Sequence, residues 1–160
     1  MRISDLLDTP LVLPAVAAAD KDEVIELLAT RLASEYPEID RLRLTTALRE
    51  RERQMSTALA DGVAVPHARL AGLTRMVAAL GRSPSGIACG SHDGKPTHLF
   101  LLLVVPANGP GAHLKVLATA SRLLHDEGCR TRLMAAGDAT GLLHALRAEE
   151  DRTRATARAA

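Results

Sequence analysis

The chain has 160 residues, enough for one domain with a substantial core and too few for two ordinary domains. Hydrophobic residues make up 47% and charged residues 24%, which excludes a disordered or fibrous chain. The net charge of +1 gives no general attraction to nucleic acid or anionic lipid, so we expect no nucleic-acid partner. With no Trp, one Tyr and one Phe, the core must be aliphatic.

Three features of the sequence predict a cytoplasmic protein. Residues Met1–Asp8 carry acids and lack the apolar stretch of a secretory signal. The longest apolar run, Leu99–Val105, is far shorter than the roughly 20 residues that span a bilayer, so we expect no membrane insertion. Cys89 and Cys129 lie in no CxxC pattern, which disfavours a disulfide framework or a zinc knuckle and fits a reducing compartment.

Apolar spacing in the first half of the chain predicts two strands and two helices. Asp20 and Glu23 form a capping-box pattern before a helix that should stop ahead of Pro37, and a second helix should start at Asp40 and continue through Arg53. The predicted strands are Leu11–Leu13 and Val63–Val65, the second introduced by an Asp61-Gly62 turn and ended by Pro66.

The second half predicts two more strands and then a helical region. The strands are Arg75–Leu80 and His98–Val105, with a turn at Asp93–Pro96 between them and a Gly- and Pro-rich loop, Pro106–Gly111, after them. The predicted helices run from His113 to a C-cap at Gly128, over Arg130–Ala136, and over Ala139–Leu146 with Asp138 as its cap.

Together these elements predict an α/β fold with a mixed central β-sheet sandwiched between helices in a single domain. The unbroken apolar run of the last strand indicates that both of its faces are covered, as in a central strand. We expect the domain to occupy residues 1–148. Residues 149–160 have no apolar periodicity and are expected to form a disordered tail.

The residue pair Pro66-His67 is the strongest candidate for a functional site. Proline fixes its own φ and keeps Val65 extended, so we expect the imidazole of His67 to project from the end of a strand. A neutral imidazole at pH 7 can accept a phosphoryl group on nitrogen and release it again. The sequence therefore indicates a phosphoryl acceptor that needs no cofactor.

Groups suited to binding a phosphoryl anion occur near His67 and in the later loop. Arg51 offers a planar fork for two oxygens, and the hydroxyls of Ser56 or Thr57 offer further hydrogen bonds. Asp61 is a candidate for holding an imidazole or Arg51 in place. His113 opens a helix after the Gly109-Pro110-Gly111-Ala112 loop, where free N–H groups favour anions.

The pattern Arg51-Glu52…Ser56-Thr57…Gly62-Val63-Ala64-Val65-Pro66-His67 resembles the signature of type-2 enzyme IIA, the fructose/mannitol/nitrogen class of the bacterial phosphotransferase system. The likeness extends from about Ile3 to Leu146. It implies phosphorylation of His67 at Nε2, an active site lined by Arg51 and His113, and an HPr-like phosphocarrier protein as donor. We therefore predict a histidine phosphotransferase.

The sequence around His67 resembles the nitrogen-regulatory branch more than the sugar-transporting branch. Pro66-His67-Ala68-Arg69-Leu70 has alanine where glycine often follows the histidine, and no IIB-like or membrane segment is fused to the chain. Ala58 and Ala60 stand where the family commonly has glycine, so the loop conformation can differ. We expect a regulatory enzyme IIA whose partners are target proteins.

Three alternatives remain open. A sugar-specific enzyme IIA would pass phosphate to a IIB domain, and a non-catalytic interaction module would bind partners without phosphate uptake. A metal-dependent hydrolase would use His67, His113 and a carboxylate, but no HxxxH or HExxH pattern supports a metal site and no nucleotide-binding motif is present. The oligomeric state stays open, and a homo-oligomer is compatible with the sequence.

Overall fold

A computed structural model describes residues 1–109 and 111–159. Pro110, in the predicted Gly- and Pro-rich loop, and Ala160, at the end of the predicted tail, lie outside the described residues. The helices are α1 (Lys21–Glu35), α2 (Arg41–Gln54), α3 (Ala112–His125), α4 (Glu127–Ala135) and α5 (Ala139–Ala159). The strands are β1 (Val12–Leu13), β2 (Val63–Ala64), β3 (His67–Leu70), β4 (Val77–Ile87) and β5 (Thr97–Pro106). Short 3-10 helices cover Ile3–Leu6 and Thr9–Leu11.

The strands form one mixed sheet in the order β1-β4-β5, with β2 and β3 both pairing with the far side of β5. β4 and β5 are antiparallel, whereas β1 is parallel to β4, and β2 and β3 are parallel to β5. The side chains of β5 from Leu99 to Val105 are all buried, which confirms the prediction of a central strand covered on both faces.

Helices cover both faces of the sheet, as two neighbouring residues of β4 demonstrate. A Cβ on Gly81 would lie 3.3 Å from the side chain of Leu28 in α1. The next residue, Arg82, reaches the opposite side and donates to the carbonyl of Leu133 in α4 at 3.0 Å. Because successive strand residues face opposite sides of a sheet, α1 and α4 lie on different faces, and the predicted α/β sandwich is confirmed.

β2 ends before Pro66 as predicted, but the chain does not leave the sheet at that point. Ala64 pairs with Phe100 and His67 pairs with Leu103, so both pairs have the same sequence separation and the chain follows β5 in one register from β2 into β3. Pro66 interrupts the ladder because it has no N–H, although its carbonyl accepts from the N–H of Leu103 at 2.9 Å. His67 therefore lies at the first position of β3, and not in a loop beyond the end of a strand.

The helix boundaries after β5 also differ from the prediction. α3 ends at His125 and not at Gly128, because the Asp126 carboxylate accepts from the N–H of Cys129 at 2.7 Å and begins α4. Gly128 lies in the first turn of α4.

β4 runs to Ile87, beyond the predicted end at Leu80, with a register shift between Arg82 and Ile87 that accommodates Pro84 and Gly86.

The segment expected as a disordered tail is helical in the structure through Ala159. Glu149 and Glu150 are buried in α5 and paired with polar groups. Glu149 accepts from Arg132 at 2.8 Å, and Glu150 accepts from the N–H of Ile3 at 2.6 Å. Sequence periodicity missed these residues because their burial depends on charged partners elsewhere in the chain.

Within the described ranges, the helices are too short or too polar to cross a membrane.

Candidate functional site

A cleft of about 420 Å³ lies between α2, β3 and the start of α3. It is lined by three of the residues predicted from sequence, namely Arg51, His67 and His113. The apolar part of its wall includes Leu103 of β5 and Leu114 and Leu117 of α3. The fold thus brings together an imidazole, a guanidinium and a second imidazole from three separate segments.

Hydrogen bonds at both ring nitrogens define the orientation of His67. Its Nδ1 lies 2.9 Å from the carbonyl oxygen of Val65, and its Nε2 lies 3.1 Å from Nε of Arg51. A carbonyl oxygen can only accept and a guanidinium N–H can only donate. The proton of the neutral ring must therefore be on Nδ1, and the lone pair must be on Nε2.

Arg51 is held in the last turn of α2, where a basic side chain is favoured by the helix dipole. Besides contacting His67, it donates from Nη1 to the carbonyl oxygen of Met55 at 2.9 Å. This second bond fixes the plane of the guanidinium beside the imidazole. Arg51 is therefore positioned to exchange its contact with Nε2 for contacts with oxygens of a group attached there.

The environment of His67 favours the neutral ring. Burial is the largest effect that lowers the pKa of His67, and the positive charge of Arg51 lowers it further. The hydrogen bond to the Val65 carbonyl and the charge of Glu52 act in the opposite direction but do not outweigh these effects. A neutral ring with its lone pair on Nε2 is the form that can attack an electrophile.

Arg69 also lines the cleft, although it was not among the site residues predicted from sequence. Its Nη2 lies 3.0 Å from Nε2 of His113. The signal that identifies it is strand periodicity, because residues i and i+2 of a strand face the same side and Arg69 follows His67 by two residues in β3. That signal was hidden because β3 itself was not predicted.

Ser56 and Thr57 do not line the cleft. Thr57 is buried, and both its N–H and its hydroxyl donate to the carboxylate of Glu52. The Ser56 hydroxyl accepts from the N–H of Ala58 at 3.2 Å and from Nζ of Lys21 at 3.4 Å. In this structure both hydroxyls are engaged in holding the loop after α2, away from Nε2 of His67.

Asp61 does not line the cleft that contains His67. It has a positive φ of 61° in the turn before β2, and its N–H donates to Asp93 at 2.8 Å. Its carboxylate lies 3.8 Å from both Nζ of Lys95 and Nδ1 of His125. These contacts give Asp61 a part in the turn, and its role beside an imidazole of the cleft or Arg51 stays a prediction.

Comparison with known protein families gives one match over most of the chain. Residues 5–149 match the family model described as "Phosphoenolpyruvate-dependent sugar phosphotransferase system, EIIA 2". This match confirms the resemblance that the motif around His67 indicated.

Curated relatives include both nitrogen regulatory and sugar-specific proteins. The chain is 33% identical over 146 residues to a nitrogen regulatory protein of Bradyrhizobium diazoefficiens, covering 91% of this chain and 95% of the relative. It is 34% identical over 139 residues to a fructose-specific EIIA component of Haloferax volcanii, covering 85% and 90%. It is 32% identical over 136 residues to a fructose-specific EIIABC component of Bacillus subtilis, covering 85% of this chain but only 21% of that protein.

Solved structures agree with the fold. The crystal structure of the nitrogen regulatory protein IIA-Ntr from Neisseria meningitidis superposes with a TM-score of 0.84 at 28% identity, covering 90% of this chain and 98% of that one. The mannitol IIA of Escherichia coli superposes with a TM-score of 0.73 at 21% identity, covering 88% and 98%, which supports the fold alone.

Proposed function

Because the chain belongs to the EIIA 2 family of the phosphoenolpyruvate-dependent sugar phosphotransferase system, we propose that it accepts a phosphoryl group on Nε2 of His67. The observation that carries this proposal is the hydrogen bond of 2.9 Å between Nδ1 of His67 and the Val65 carbonyl. That bond leaves the lone pair on the nitrogen that faces Arg51. The donor is an HPr-like phosphocarrier protein, and the chain is a protein-histidine phosphotransferase.

The transfer is an exchange of one phosphorus–nitrogen bond for another. The lone pair of Nε2 of His67 attacks the phosphorus carried by the donor's phosphohistidine. The bond from phosphorus to the donor's nitrogen breaks, and its electron pair returns to the donor ring. Water takes no part, and the proton on Nδ1 of His67 stays hydrogen bonded to Val65.

Three cationic or hydrogen-bonding side chains of the cleft surround the incoming group. Phosphoryl transfer depends mainly on positioning and on stabilising the charge of the equatorial oxygens. Arg51 is already in contact with Nε2, while Arg69 and His113 contact each other in the same cleft. Each can turn a hydrogen-bond donor towards a phosphoryl oxygen.

We favour a nitrogen-type regulatory role in the cytoplasm, supported by the relative whose length is 95% covered and by the superposition at a TM-score of 0.84. The cleft is bordered by apolar surface that includes Leu114, which is 63% exposed. A phosphoryl group on His67 adds nearly two negative charges beside this surface. Phosphorylation therefore changes which target proteins the surface binds.

A sugar-specific role is the second candidate, and the likeness to the fructose-specific component of Haloferax volcanii favours it. In that case phosphate leaves His67 for a IIB domain. The two roles share the first transfer and differ in the next acceptor. Incubation of phosphorylated protein with a fructose-type IIB domain separates them, because rapid loss of phosphate from His67 to that domain supports the sugar-specific role.

The test of the shared step is phosphate uptake from phosphoenolpyruvate through enzyme I and its carrier. Wild type and His144→Ala, a control at an exposed histidine of α5, should form one acid-labile, alkali-stable adduct. His67→Ala should form none. Folded wild-type protein that takes up no phosphate would contradict the proposal and favour a non-catalytic interaction module.

A further inference from the structure

Glu52 is a buried carboxylate that lies one residue after Arg51 in α2 and takes no part in lining the cleft. Its side chain is 8% exposed. Nζ of Lys21 donates to it at 2.6 Å, and the N–H of Thr57 donates to its two oxygens at 2.9 and 3.1 Å. The hydroxyl of Thr57 donates to it as well. A single carboxylate therefore fixes the backbone and the side chain of Thr57.

The contacts of Thr57 continue to the imidazole. The carbonyl oxygen of Thr57 accepts from the N–H of Val65 at 3.0 Å. The carbonyl oxygen of Val65 accepts from Nδ1 of His67 at 2.9 Å. Val65 is thus held at its N–H on one side and holds the imidazole at its carbonyl on the other. This series of hydrogen bonds begins at Glu52, continues through Thr57 and Val65, and ends on Nδ1 of the imidazole, the ring nitrogen that does not react.

We propose that Glu52 is a positioning residue that keeps His67 in the Nδ1-protonated tautomer, acting through Thr57 and Val65. This inference rests on the proposed function of His67. Two consecutive residues of α2 then act on the two nitrogens of one ring: Arg51 contacts Nε2 directly, and Glu52 acts on Nδ1 through the backbone.

The contacts of Glu52 make it well suited to this task. Burial by itself would raise the pKa of Glu52, but hydrogen bonds from Lys21 and Thr57 outweigh burial and lower it, so the group is ionised at neutral pH. Hydrogen bonds to an ionised acceptor are stronger than those between neutral groups. Lys21 also donates to the carbonyl of Cys89 at 3.1 Å, which ties the carboxylate to α1 and to the segment that follows β4.

The test is Glu52→Gln, examined by ring ¹⁵N spectroscopy of His67 in the absence of any phosphocarrier. In wild type the proton should be found on Nδ1. In the variant we expect the two nitrogen shifts to move towards each other as both tautomers become populated. Phosphate uptake should slow by about 10-fold to 100-fold, the loss seen when the hydrogen-bond partner that orients a metal-binding histidine is removed.

Glu149→Gln is the matched control, because Glu149 is also a buried carboxylate with basic partners but lies in α5. It should lower stability and leave both the tautomer of His67 and the rate unchanged. Thr57→Ser should preserve both properties, whereas Thr57→Val should slow uptake by removing one bond to Glu52. If Glu52→Gln does not fold, the two Thr57 variants test the proposed role of Glu52 in its place.

A folded Glu52→Gln protein with the wild-type tautomer and rate would overturn the inference, as would wild-type behaviour of Thr57→Val. A different result would contradict the proposed function, namely the absence of phosphate uptake by the wild-type protein. Because the tautomer is measured on unphosphorylated protein, the two failures are distinguishable.

Discussion

Arg69 and His113 lie 44 residues apart in the sequence, yet Nη2 of Arg69 lies 3.0 Å from Nε2 of His113. This contact joins β3 to the first turn of α3 across the cleft that contains His67. Arg69 and His67 project from the same side of β3 because two residues separate them. The guanidinium is therefore well placed to bind oxygens of a phosphoryl group on His67.

We expect Arg69→Gln to slow phosphate uptake by about 10-fold or more, since a hydrogen bond to a charged group contributes about 1.5–3 kcal/mol. The measurement is the single-turnover rate of transfer from the phosphorylated carrier. Arg43→Gln, at an exposed position of α2, should transfer at the wild-type rate. Equal rates for the two variants would exclude a role for Arg69 in holding the phosphoryl group.

The pKa of His67 should lie below its ordinary value of 6.5, because burial and the charge of Arg51 disfavour the protonated ring. An NMR titration of the ring protons measures it directly. Arg51→Gln should raise the midpoint, since it removes a neighbouring positive charge. A wild-type midpoint at or above 6.5 would show that the site does not favour the neutral ring.

The same shift affects stability in a defined pH range. The unfolded chain binds a proton on this histidine near pH 6.5, while the folded protein keeps the ring neutral to lower pH. The full contribution of His67 to the free energy of unfolding is therefore present above pH 6.5. It is lost as the pH falls through the lower pKa of the folded state. In His67→Gln, this part of the pH dependence should disappear from urea unfolding curves.

Arg82 stabilises the side of the fold that carries α4. It donates from Nε to the carbonyl of Pro14 at 2.9 Å and from Nη1 to the carbonyls of Leu133 and Met134 at 3.0 and 3.2 Å. We expect Arg82→Met to lower the free energy of unfolding by about 3 kcal/mol, because buried carbonyls lose charged donors. Urea unfolding measures the loss.

An exposed arginine of α5 provides the comparison for Arg82→Met. Arg154→Met should change the free energy of unfolding by less than about 0.5 kcal/mol, as surface substitutions usually do. If both variants unfold at the same urea concentration, the carbonyl contacts of Arg82 contribute little to stability.

The domain boundary at residue 148 is open to a direct test by truncation. Ending the chain after Arg152 removes a segment whose described side chains, at residues 153–159, are all exposed, and should cost less than about 1 kcal/mol. Ending it after Ala148 removes Glu149 and Glu150, whose carboxylates accept hydrogen bonds from Arg132 and from the N–H of Ile3. Because two buried, hydrogen-bonded side chains are lost, the shorter chain should unfold at lower urea. Equal stability would support a domain ending at 148.

Local chemistry allowed the sequence to predict the starts of two helices. Asp20 and Asp40 cap α1 and α2 as expected, accepting from the N–H groups of Glu23 and Arg43 at 3.0 and 2.8 Å. Such caps depend on residues three positions apart, which the sequence displays. The assembly of Arg51, His67 and His113 was likewise predicted, but from the family resemblance and not from spacing alone.

Features that depend on distant partners were not predictable in the same way. β3 was missed because Pro66 breaks the ladder, while its register is set by pairing with β5. Thr57 was assigned to phosphate binding on its hydroxyl alone. Its actual acceptor, Glu52, is buried by Lys21 of α1, a contact that only the folded chain displays.

A ¹H–¹⁵N correlation of histidine rings in labelled protein, recorded before and after phosphate transfer from the carrier, tests directly whether Nε2 of His67 is the phosphoryl acceptor. We predict that His67 begins with its proton on Nδ1 and ends with phosphorus bonded to Nε2, with the other histidine rings unphosphorylated. Phosphorus on Nδ1 of His67, or on another histidine, would contradict it.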